Sequence, residues 1–547
     1  MALRYILTIS ALIVPAIAAP PHTQALLSPS LESDVNHGPS LKNARANAPH
    51  VFNAIHSSAR QWGSSLNHNG MSLYPARVPN NTHFYHGTGN PVAEKGMEWL
   101  AFEIEHAEQF AQSRPRWVNP GRPPGGPPGS GRPPLTGMDW TEDMDIMDGL
   151  DDDEEEWSKG YLHIYRTTRP LTRLLYIDGT AAGKSSLGTL DTQDLVLRNL
   201  TDPDDEQPMN DFQRGMDLCA LGAEWGIEGF IRMEMGFEII FCEFSNGLEL
   251  ESARMRPYGS NRTMEAVSQF EVFRGASLRY KGLEERLKLD YSSMVSAFWY
   301  DLNLTNPDAK KQDLPRLHTS DKDVLAKMRA DLKVAIDEST TRTELVNDWR
   351  GIVDMIVTRY SDRLQMIANK DISRDKLYAG ARFLTNAYID YSEFDIAAAT
   401  EKCSKHYLIA ATPQTTSDHL IYESIFTVAN KICTTLFHVV GLLGEEQDDE
   451  TAAQSALEES RSALNSLISY LNWTTWLECG NCAYEEYCFT AIWPTGTEED
   501  RKQPSCMNDT MFSSRYGYWD IGRRPGGKPP KPAEIVQMIA DSRTEKL

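Results

Sequence analysis

The apolar residues of this chain change their period once, near Leu283, and that change divides what the sequence can fold into. Beyond it they recur at i, i+3, i+4 and i+7, the spacing that keeps one helical face apolar. The pattern predicts six helices, over residues 323–336, 343–368, 374–391, 396–408, 420–443 and 452–470. Breakers such as Asn369-Lys370-Asp371 and Thr412-Pro413 separate them. Before Leu283 the apolar residues come in short aromatic and aliphatic runs, at 82–85, 99–102, 161–165, 173–177, 229–232 and 237–244, which read as strands. Residues 105–112 and 211–225 carry helical spacing between them. The fold class is therefore α+β: a mixed α/β domain over 51–280, then a helical bundle over 283–470.

Residues 112–157 interrupt the first domain. They hold Arg122-Pro123-Pro124-Gly125-Gly126-Pro127-Pro128-Gly129, then eleven acidic residues and no basic one between Asp139 and Glu156. Such a segment has too little apolar surface to offset chain entropy and reads as a disordered, solvated insertion. Asp143 and Asp145 are spaced like the start of an EF-hand, but Met147 takes a ligand position and Gly149 comes one residue late. Residues 19–50 read as a flexible leader, and 521–547, with Arg523-Arg524, as a loose tail.

The compartment follows from the first residues. Met1 to Arg4 precede an apolar run to Ala19, and Ala16-Ile17-Ala18 offers the small-x-small cleavage pattern, so 1–18 reads as a signal peptide. Residues 420–443 are broken by Glu423, Asn430, Lys431 and His438, which makes them a core helix and not a membrane span. Six glycosylation sequons begin at Asn80, Asn199, Asn261, Asn303, Asn472 and Asn508. The eight cysteines are Cys219, Cys242, Cys403, Cys433, Cys479, Cys482, Cys488 and Cys506. In an exported chain they read as disulfides, the last four stapling a cap over 471–520. Cys403 and Cys433 fall on two predicted helices, and a bridge between them is open. Zinc is the alternative at Cys479-x-x-Cys482, although Cys488 and Cys506 lack that spacing. The net charge of −23 argues against nucleic acid, which needs clustered Lys and Arg.

Candidate chemistry begins at His83-Phe84-Tyr85-His86-Gly87-Thr88. Trp99-Leu100-Ala101-Phe102 and the helix to Phe110 follow, and then Gly229-Phe230-Ile231-Arg232 through Phe237-Glu238-Ile239. In that order these segments resemble the ADP-ribosyltransferases. The resemblance implies an NAD site in which Gly87 and Thr88 let backbone approach the nicotinamide amide and His86 holds the ribose. It implies that Phe102 and Phe110 stack on the ring and that Glu238 is the catalytic carboxylate, stabilising the oxocarbenium-like state. The reaction implied is cleavage of NAD at the nicotinamide bond, with transfer to water or a target. Two departures stand out. Phe replaces the family's tyrosines, and Gly236 stands where protein-arginine transferases carry Gln or Glu. On the plainer reading His86 caps a strand and Glu238 pairs with Arg232 or Arg254.

Ile177-Asp178-Gly179-Thr180-Ala181-Ala182-Gly183-Lys184-Ser185 has the look of a phosphate loop, one residue short, before a poor helix start. A tight turn is the simpler reading. The sequence has no Gly-x-Ser-x-Gly elbow and no His-Glu-x-x-His helix. His83, His86 and His106 meet a metal only if the fold brings them together.

The chain is also similar to a widespread group of predicted secreted proteins of filamentous ascomycete fungi. The residues that carry this are Glu98 to Glu103, Leu174 to Lys184, Gly188-Thr189-Leu190-Asp191, Arg232 to Glu238 and Cys479-Gly480-Asn481-Cys482. That resemblance implies an exported fungal glycoprotein and no activity. The expectation that competes with NAD cleavage is a non-enzymatic extracellular or wall-associated protein, acting on a protein or small-molecule target through its surface.

Overall fold

The computed structural model describes residues 37–111, 114–115, 157–183, 187–200, 211–257, 269–279, 283 and, with short breaks at 319–320, 343, 345, 394, 445–449 and 513–516, 286–519. The expected signal peptide, nearly all of the insertion and the tail lie outside them.

The strands of the main sheet are β1 Ser72–Val78, β2 His83–Thr88, β3 Glu98–Ala101, β4 Tyr161–Thr167, β5 Leu171–Ile177, β6 Gly229–Met233, β7 Phe237–Phe241, β8 Leu248–Met255, β9 Lys288–Leu289 and β10 Val295–Ser296. Among the described residues they form one sheet in the order β8-β4-β2-β3-β7-β6-β5-β1-β9, with β10 also on β1. β5 and β6 run parallel, Leu175 opposite Phe230, and the other pairings are antiparallel. β6 and β7 are buried along their whole length, which is why they read as unbroken apolar runs.

Four strands lie outside the expected runs: β1, β8 and the two-residue β9 and β10, which fall within 283–470 yet join the sheet. β1 was not expected, because Pro75 argues against a central strand. Pro75 falls in a gap: β10 pairs Ser72 and Leu73, while β9 pairs Ala76 and Arg77. β8 is an edge strand whose exposed positions include Glu249 and Glu251, so it lacks an apolar run.

Helices α1 Leu41–Ala46, α2 Ala48–Ser57 and α3 Gln61–Leu66 precede the sheet. The first of these corrects the reading of 19–50 as a flexible leader throughout. Leu41, Ala44, Ala48 and Val51 are at most 1% exposed, and α1 and α2 pack on the long helix Thr416–Gly444. Ser40 caps α1 by accepting from the Asn43 amide. Two further helices cover the sheet: α4 Ile104–Glu108, continued by a 3-10 turn to Ala111, and α5 Asp211–Trp225. α6 is Gln269–Arg279.

The helical region follows as α7 Lys322–Thr341, α8 Trp349–Ala368, α9 Arg374–Thr385, α10 Ile396–Lys405, α11 Thr416–Gly444 and α12 Glu450–Leu471. Each matches a predicted helix. Asp321, Asp348 and Asp395 cap three of them through their side chains. α11 is the axis, touching α9, α10 and α12 as well as α1 and α2. It is long and apolar enough to cross a membrane by length and composition, and half of that stretch is buried.

All eight cysteines are paired. Cys219–Cys242 ties α5 to the end of β7, and Cys403–Cys433 ties α10 to α11. The cap carries Cys479–Cys488 and Cys482–Cys506, so its cysteines are spent on sulfur and not on zinc. Cys403→Ala with Cys433→Ala should lower stability by about 3–4 kcal/mol, the loop-closure entropy of a link spanning 30 residues, measured by urea unfolding.

Candidate functional site

Register decides how the expected NAD residues sit. Tyr85 lies opposite Ala101, and Ala101 lies opposite Glu238, across β2, β3 and β7. Opposed residues share a face of a sheet, and neighbours along a strand alternate between faces. His86 therefore stands on the face away from Glu238, beside its cross-strand partner His163. The two do not meet in one cleft.

On its own face His86 donates from Nδ1 to the Trp99 carbonyl at 2.7 Å, and Nε2 lies 3.9 Å from Glu94. Burial pulls its pKa down to about 4, so the ring is a neutral structural donor near pH 7. Thr88 donates to Glu94 at 2.7 Å. Gly87 is required by the chain's own packing: a Cβ there would sit 2.2 Å from the Ala107 carbonyl and 2.5 Å from the Ala111 amide. Phe102 is fully buried, edge-on to Phe84 at 5.0 Å. Phe110 is 38% exposed and stands by the His106 ring.

On the opposite face, Glu238 takes the pairing that the plainer reading offered. Arg232 donates from Nε to Glu238 at 2.9 Å and from Nη2 to both oxygens of Asp211, which opens α5. Burial works against the charge of this guanidinium, but Asp211 and Glu238 outweigh it and hold its pKa above the ordinary value. The oxygen of Glu238 that Arg232 leaves faces His106 Nε2 at 4.0 Å.

The phosphate-loop reading does not hold for the described part of the segment. Thr180 donates its amide to His68, Ala182 to Met233 and Gly183 to Thr180, so these amides are used inside the fold. Residues 184–186 lie outside the described set.

An open concavity lies elsewhere. A cleft of about 730 Å³ runs between α2, the 67–71 turn, the 298–315 segment and the end of α12. Asn47, Asn53, Asn67, Asn69, Asn303 and Asn472 line it with four serines, and no Lys or Arg is among its lining residues. An exposed His50 stacks on Phe298 at 4.8 Å and 8° at one wall. Asp178, which follows β5, also lines it and accepts from the Ser72 amide at 2.9 Å. Burial raises the pKa of this carboxyl to about 7, against hydrogen bonds from Ser72 and Met71 that lower it.

Residues 41–261 match the family model described as the YPL277C N-terminal domain. The match begins at α1 and covers the cleft's α2 wall, Asp178 and Glu238. The chain is similar to the uncharacterized protein YOR389W of Saccharomyces cerevisiae, 24% identical over 564 residues, 88% of this chain and 87% of that protein. It is also similar to the uncharacterized protein YPL277C of the same yeast, 31% identical over 247 residues, 42% of this chain and 49% of that one. The expected kinship with fungal proteins is met at this level. No solved structure matches.

Sequence reasoning missed the cleft, because its asparagines come from segments more than 400 residues apart. The signal within reach was Asp178, a carboxyl ending an apolar run. The fold favours its protonated form, so this stability is whole below its ordinary pKa of 3.8 and is lost as pH rises through about 7. Asp178→Asn should thus gain on the wild type, its unfolding midpoint minus the wild type's rising from about pH 4 to about pH 7. A difference flat with pH in thermal unfolding would contradict the assignment.

Proposed function

We propose that this chain is an exported glycoprotein that binds a neutral, hydroxyl-rich ligand, an oligosaccharide, in the cleft beneath α2. The observation that carries the proposal is the lining of that cleft: Asn47, Asn53, Asn67 and Asn69 with four serines, besides the sequon residues Asn303 and Asn472, and no Lys or Arg. The amide nitrogens of Asn47, Asn53, Asn67 and Asn69 donate within the protein, while the oxygens of Asn53 and Asn69 have no partner, so the cleft offers acceptors that match the hydroxyl donors of a sugar. The absence of Lys and Arg from the lining disfavours phosphates and dinucleotides. His50 stacked on Phe298 supplies a ring surface for the apolar face of a sugar.

Export is supported by four disulfides and by sequon asparagines at the surface. Asn80, Asn199, Asn303 and Asn472 are exposed and Asn508 is half-buried, while Asn261 lies outside the described residues. This is the interaction-protein reading, given a ligand class. An ADP-ribosyltransferase-like use of NAD has less support, since His86 and Glu238 lie on opposite faces and Phe102 is buried.

The test is titration of the secreted chain with neutral glucan, mannan and chitin oligosaccharides. Its glycans should be trimmed, because Asn303 and Asn472 stand at the cleft. One class should bind saturably, and His50→Ala and Asn67→Ala should each weaken it about 5- to 10-fold, the worth of about 1 kcal/mol. No saturable binding, or binding indifferent to both changes, would reject the proposal. Free nicotinamide from NAD should stay at background; release lost in both His86→Ala and Glu238→Gln would restore the transferase reading.

A further inference from the structure

Away from the cleft, on the Glu238 face of the sheet, three donors from separate segments converge. His106 on α4, Glu234 in the β6–β7 turn and Glu238 on β7 each place one ligand atom within 4.8 Å of the others. His106 is 2% exposed; its ring bonds the Phe237 backbone, and Nδ1, which has no hydrogen-bond partner, is the nitrogen left to ligate. One turn along, Gln109 is equally buried; its Oε1 also lacks a partner, and its amide nitrogen rests against Met235 at 3.5 Å. A buried imidazole nitrogen and a buried amide oxygen left unpaired each carry a desolvation cost that something normally offsets.

The charges point the same way. Arg232 feels Asp211, Glu238 and Glu234, so one guanidinium is shared among three carboxylates. Arg232 holds Oε1 of Glu238 while Oε2 faces His106. That is how an outer group orients a metal-binding carboxylate. Glu234 is half-buried, which gives the cluster a route to solvent.

We infer that His106, Glu234 and Glu238 bind one divalent transition-metal ion of the Zn²⁺ or Mn²⁺ kind, with Gln109 as a neutral oxygen beside it. Nitrogen and oxygen donors about 2.0–2.2 Å from such an ion stand roughly 3.0–3.6 Å apart, so the three groups need to close by about 1 Å. One imidazole with two carboxylates suits Zn²⁺ or Mn²⁺, whereas Ca²⁺ takes six or more oxygens. Glu238, expected from sequence to be a catalytic carboxylate, becomes a ligand held by Arg232. The cysteine trio Cys479, Cys482 and Cys506 also clusters, but its sulfurs are in disulfides.

The experiment uses the full secreted chain, stripped with a chelator and titrated with Zn²⁺ and with Mn²⁺, by calorimetry and by Mn²⁺ electron paramagnetic resonance. One ion per chain is expected. His106→Ala and Glu234→Gln should each weaken binding about tenfold or more. Glu251→Gln, a β8 surface carboxylate paired with His83 and Arg166, should leave it unchanged. Circular dichroism checks the fold, and should His106→Ala fail that check, Glu234→Gln on the half-exposed turn decides. No saturable ion, or wild-type affinity in either correctly folded variant, overturns the inference.

Discussion

The sheet and its covering helix depend on Arg232. Its side chain is fully buried between Asp211 and Glu238, and removing such a charge from water costs several kcal/mol. The two carboxylates offset that cost only in one geometry, with Asp211 at the first position of α5 and Glu238 on the next strand. The guanidinium therefore fixes where α5 begins above β6 and β7, and Cys219–Cys242 ties its far half to the end of β7. It also determines what Glu238 is free to do. One carboxylate oxygen is occupied, and the other is turned toward His106 and away from the face where His86 lies.

A second constraint joins segments that lie far apart in sequence. α1 and α2 precede the sheet in sequence but pack on α11 of the helical region. Asn53 on α2 donates to the carbonyl of Leu471, the last residue of α12, at 2.9 Å, and Asn43 and Asn47 donate to the carbonyls of Trp299 and Phe298. The cleft is the space left where these three segments meet. Its polar lining follows from that origin, since these are loop ends and helix ends whose backbone groups still need partners.

How much could be read in advance varied with burial. Helices α7, α8, α9, α11 and α12 were legible because each presents an apolar stripe to one core, while α10 joins a separate cluster through Ala399 and Cys403. α5 was found to the residue at 211–225. β1 was hidden by Pro75, whose lack of an amide is harmless only because two short strands leave a gap beside it. β8 was hidden by its edge position, and α1 by the polar composition around it. Of the candidate site, the pairing of Glu238 with Arg232 was among the readings open from sequence, since both lie on adjacent runs six residues apart. His106 and Glu234 were not grouped with it, because nothing local says that α4 returns over the same face.

What the sequence determined by itself was the kind of chain this is: strands, then helices, with cysteines in an even set. Periodicity and cysteine chemistry are local properties, and they survive without knowledge of any partner. Only the tertiary structure decided which side chains share a face. A strand shows its residues to both sides in turn, so one position along β2 separates His86 from Tyr85, and register alone assigns Glu238 to the side of Tyr85. The cleft and the His106–Glu234–Glu238 cluster are likewise products of long-range packing, because every donor in them belongs to a segment that is unremarkable until another segment is laid against it.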